Sequence, residues 1–64
     1  MARMMIRCVA SVPELMKYWE IDYEAALRTQ ESDMNKILTE MDERSWNPVK
    51  MTGSPEQGIT ILFE

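Results

Sequence analysis

Sixty-four residues carrying a net charge of −4, one cysteine and no histidine exclude more than they specify. A chain this short buries only about 60% of its unfolded surface, so its own core gives modest stability, and a lone thiol rules out an internal disulfide as reinforcement. Without histidine and with one thiol, a zinc site is not expected and Ser/His/Asp or Cys/His catalysis lacks its base. A non-enzymatic protein with no cofactor and no metal is the expectation, and self-association is the natural way to add stability.

The charge is unevenly spread. Residues 1–17 hold Arg3, Arg7 and Lys17 against Glu14, whereas residues 18–44 hold eight acids against three bases. An acidic chain without a cluster of Lys and Arg argues against a phosphate-binding surface, and so against nucleic acid as a partner. No apolar run approaches the ~20 residues of a membrane span. Arg7 interrupts the run Met4–Ile6, so the N-terminal segment does not read as a secretory signal. With an unpaired cysteine, a reducing, cytoplasmic location is expected. The seven methionines are expected mainly as core filler.

In chain order, residues 3–10 alternate as a strand, with Met4, Ile6, Cys8 and Ala10 on one face and Arg3, Met5, Arg7 and Val9 on the other. The first set is the more apolar and is expected to face the core, which makes Cys8 a buried, inert thiol. Ser11, Val12, Pro13 and Glu14 then form a helix-start signal: a serine cap, a proline in the first turn and a glutamate three residues past the cap.

From Pro13 to Arg44 there is no further glycine or proline. Large residues recur at Val12, Met16, Trp19, Tyr23, Ala26, Met34, Ile37 or Leu38, and Met41, at close to ~3.6 residues per turn, with Gln30 the one polar member of the row. Leu15 and Leu27 widen the stripe. The opposite face is charged, and Glu24–Arg28 and Glu40–Arg44 stand in the acid-first spacing of four. One helix of this length would run ~48 Å, so a break is considered at Asp22, which can cap a new start, or within residues 29–33. A strand over residues 19–24 is the alternative, because Trp19, Ile21 and Tyr23 alternate with Glu20, Asp22 and Glu24; the capping signal favours helix from Pro13.

Pro48 ends the helical stretch. Residues 48–52 read as a short strand, residues 53–58 as a hairpin loop bounded by Gly53 and Gly58, and residues 59–63 as the clearest strand, with Ile59, Ile61 and Phe63 turned to the helix. Left at an edge, that last strand would invite pairing with another chain, which a central position or an edge-to-edge dimer would prevent. Together these elements give one α+β domain over residues 1–64: a two-layer β-α-β-β arrangement in which one long or broken amphipathic helix (about 13–44) packs on a small sheet, with ββαββ as the alternative. The helical connection is long enough to permit a mixed sheet.

Candidate site residues come from the aromatic set and the acidic face. Trp19, Tyr23 and Trp46 are expected to be mostly core, Trp46 closing the helix onto the sheet, while Tyr18 lies off the stripe and is the best exposed candidate. Tyr18, Glu20, Glu24, Glu31 and Trp46 are the residues proposed for protein binding, since exposed aromatics anchor interfaces. If residues 19–24 were a strand, Glu20, Asp22 and Glu24 would share a face able to hold Mg²⁺ or Ca²⁺ loosely. The favoured function is a small protein-interaction module, a homodimer acting as regulator or inhibitor of another protein, of the kind mobile elements such as phages encode. The alternative is a nucleic-acid-related protein, either a weak binder using Arg3, Arg7 and Lys50 or an acidic mimic of DNA.

Overall fold

The computed structural model describes residues 3–64; Met1 and Ala2, which the single-domain reading includes, lie outside the described residues. The elements are β1 (Met5–Val9), α1 (Val12–Trp19), α2 (Tyr23–Glu43), β2 (Pro48–Ser54) and β3 (Gly58–Phe63). The strands form one sheet in the order β1-β3-β2, antiparallel throughout, with the helices on one face. The α+β architecture stands, and no parallel pair occurs among the described strands. β3, the most apolar strand, takes the centre, so its backbone is paired on both sides.

The long helical stretch is two helices, broken where Asp22 was able to cap. Ser11 caps α1 by accepting the amide of Glu14 at 3.3 Å, and its own hydroxyl donates to Glu14 Oε1 at 2.9 Å. Glu20 closes α1 in the left-handed conformation (φ 53°). Asp22 Oδ1 then accepts the amide of Ala25 at 2.8 Å and starts α2. Residues 19–24 are therefore a helix-to-helix corner and not a strand, which removes the ββαββ alternative. No break occurs at residues 29–33, where α2 runs on.

The β2–β3 connection is tighter than the two glycines suggested. Both lie within strands, leaving Pro55, Glu56 and Gln57 as the turn. Gly53 (φ +103°) has no room for a side chain, because a Cβ there would stand 2.1 Å from the Gly58 carbonyl oxygen.

Register decides which face of β1 is buried, and it overturns the sequence expectation. Met5, Arg7 and Val9 stand opposite Phe63, Ile61 and Ile59, on the helix side; Ile6 and Cys8 stand opposite Leu62 and Thr60, on the bare side. Cys8 is exposed, its sulfur 3.9 Å from Thr60 Oγ1. Arg7 reaches the rim of the core, its guanidinium donating to Met41 Sδ at 3.8 Å.

Among the described residues, the interior holds two clusters, with Val9 of β1 buried as well. Val12, Leu15 and Ala26 form one, flanked by Met16, Ile21 and Leu27. Met41, Ile61 and Phe63 form the other, flanked by Met34, Ile37, Leu38, Trp46 and Ile59. The molecule is elongated, 43 × 20 × 14 Å with a radius of gyration of 12.7 Å, against the ~11 Å expected of a compact chain this size. Among the described residues, no helix is long and apolar enough to cross a membrane.

Candidate functional site

The aromatic end of the helical layer is built by the corner between α1 and α2. Because Glu20 turns left-handed immediately after Trp19, α1 stops before its last turn can be covered. Tyr18 and Trp19 are left 77% and 58% exposed. Their rings meet edge to face, with centroids 4.8 Å apart and planes at 86°, a favoured aromatic geometry. Tyr18 and Trp19 also line an open apolar groove of about 730 Å³ with Ala10, Leu15, Glu14 and Lys17.

Tyr23, at the first position of α2, is exposed as well. Its hydroxyl donates to Glu56 Oε1 at 3.0 Å, tying the hairpin turn to this end. That hydrogen bond and the carboxylate charge of Glu56 raise the phenol's pKa above its ordinary value of 10.0. The expectation that Trp19 and Tyr23 are core is thus corrected: the stripe they continue in sequence is interrupted by the corner, which turns both outward.

Glu20 and Glu24 are exposed beside these aromatics in the chain, one as the α1 cap and the other in the first turn of α2. Glu31 is exposed further along α2, on a shallow strip with Arg28, Ser32, Asn35 and Lys36 whose walls all come from that one helix. Trp46 belongs elsewhere. It follows the other end of α2, about 30 Å away at 1.5 Å per residue, half-buried against the Met41 cluster, with the Arg3 guanidinium 3.9 Å above its ring. The Arg3 side chain also donates to the carbonyl of Ser45. Trp46 is a packing residue closing the helix onto the sheet, so of the five predicted residues Tyr18, Glu20 and Glu24 share an end of the molecule and Trp46 does not.

Glu20, Asp22 and Glu24 cap and start helices instead of lining a strand face, so the alignment proposed for a divalent cation is lost. Among the described residues, no group of three or more His, Cys, Asp or Glu is placed to hold a metal ion.

A second surface was missed from sequence. The sheet face turned away from the helices carries Ile6 opposite Leu62 and Cys8 opposite Thr60, with Lys50 and Thr52 alongside on β2. Ile6 and, at the strand's entry, Met4 are each 62% exposed. The available signal is the apolar alternation of residues 4, 6 and 8, which does not by itself say which way that face turns. Comparison of the chain with protein-family models, with curated proteins and with solved structures gives no match.

Proposed function

We propose that this chain is a small non-enzymatic interaction module, a homodimer that regulates or inhibits another protein by binding it through the aromatic end of the helical layer. The observation that carries this reading is the exposed Tyr18–Trp19 pair flanked by acids. Tryptophan and tyrosine dominate binding energy when an interface desolvates them, whereas an exposed edge-to-face pair contributes little to a fold that already leaves it in water. Glu20 and Glu24 suit a partner whose surface is basic around an apolar pocket.

The test is affinity capture followed by titration calorimetry with the protein captured. Trp19→Ala is expected to weaken binding at least tenfold without changing the melting temperature by more than a degree or two, and Tyr18→Ala to weaken it less. Binding untouched by both substitutions, or capture of nothing beyond the chain itself, sinks the reading.

The segregation of acid onto the helices favours one other reading, an acidic mimic that occupies a DNA-binding groove. In that case neutralising Glu20, Glu24, Glu31 and Asp42 together abolishes binding and Trp19→Ala leaves most of it, the reverse of the pattern above.

A further inference from the structure

We propose that two copies of this chain pack sheet against sheet, through the face that carries Ile6, Leu62, Cys8 and Thr60. The proposal deepens the homodimer part of the function above by naming the surface. Charge identifies the occupant. The helical layer, residues 11–44, holds nine acids against four bases, whereas the remaining described residues hold Arg3, Arg7 and Lys50 against Glu56 and Glu64. The helical layer is therefore five charges negative, whereas the bare sheet face carries only Lys50 and Glu64, because the Arg7 side chain turns inward to Met41 and Arg3 lies over Trp46.

Two copies meeting helix to helix would set like charges against each other. Meeting on the bare sheet, they turn both acidic layers outward, as far apart as the molecule allows. On that face Lys50 stands beside Leu62, and Glu64, two residues on in the alternation, balances it. The middle is uncharged: Ile6 opposite Leu62, then Cys8 opposite Thr60. A two-fold axis through such a face closes the assembly at two copies, and aligned sheets pack about 10 Å apart with side chains interleaved. Pairing through the β2 edge is disfavoured by Pro48 at its start and by the register break between Pro48 and Lys50. Three strands at ordinary spacing make a small interface against the ~800 Å² per partner of a standard complex, so the dimer is expected to form in the micromolar range or above.

The experiment is light scattering on the full chain from micromolar to millimolar concentration, with the labelling rate of Cys8 by a small thiol reagent measured on the same samples. Mass is expected to double across the series while Cys8 labelling slows at least fivefold. Ile6→Glu is expected to hold the chain monomeric with labelling fast throughout. Leu62→Lys serves as the second variant, and circular dichroism checks that each is folded. Trp19→Ala should leave the mass curve unchanged. A chain that stays monomeric to millimolar concentration overturns this interface and the homodimer reading together. A dimer that survives Ile6→Glu and Leu62→Lys, or one in which Cys8 stays as reactive as in the monomer, overturns this interface alone and points to edge pairing. Mass that keeps growing beyond two copies also overturns it, in favour of a head-to-tail contact between unlike surfaces.

Discussion

Gln30 lies in the middle of an apolar stripe, 4% exposed, and its amide nitrogen donates to the carbonyls of Ala10 at 2.9 Å and Pro55 at 3.1 Å. Pro55 also accepts the first amide of α1, from Val12 at 2.8 Å. One side chain thus ties the exit of β1 and the hairpin turn to the middle of α2. Gln30→Leu keeps the bulk, but it strips Ala10 of that partner and Pro55 of one of two. The expected loss is about 1–3 kcal/mol, read as a lower urea midpoint with an unchanged slope; a midpoint that does not move would mean water replaces the amide without cost. The Tyr23–Glu56 link is predicted to depend on pH. The fold holds the phenol protonated, so the link contributes fully below pH 10.0, the ordinary tyrosine value, and is lost as pH rises through the raised one. Titration of phenolate absorbance should show one tyrosine ionising late, and Glu56→Gln should bring it back toward the ordinary value.

At the scale of elements, the corner at residues 20–22 sets where the aromatic end is. Glu20 occupies a left-handed conformation (φ 53°) that glycine adopts without a Cβ penalty. Glu20→Gly is therefore expected to raise stability by up to about 1 kcal/mol, seen as a higher melting temperature; a fall would show that the Glu20 side chain is itself holding the corner. Much of this element structure was legible. The serine and aspartate caps, the proline exit and the β-branched β3 act within a few residues of themselves, so composition and spacing report them directly. The buried face of β1 was not legible, because a strand's alternation gives two faces and the choice between them belongs to the register with β3, fifty residues away. Arg7 sits on the inner side only because Ile61 is its partner, and Cys8 is outside for the same reason. Trp19 and Tyr23 were misplaced by a different effect: the apolar period continues through the corner in sequence, but the left-handed residue rotates one helix relative to the other.

For the whole molecule, two small interior clusters replace the single core that the α+β layering implied. The Met41–Ile61–Phe63 cluster holds the larger side chains and the central strand, while the Val12–Leu15–Ala26 cluster holds little more than α1 against the start of α2. Hydrogen exchange should accordingly find α1 amides opening at lower free energy than those of β3; equal protection at both ends would mean that the two clusters unfold as one unit.

That division gives Gln30 a further meaning. An aromatic end gripped by a partner stiffens its own cluster first, and the news has few routes onward: the spine of α2, the Val12 bond and the Tyr23 tether to the turn, and the fork of hydrogen bonds from Gln30. With the fork removed, a tenant on α1 would still quieten its own doorstep, but word of its arrival would reach the far strands only through the routes that remain, and fainter.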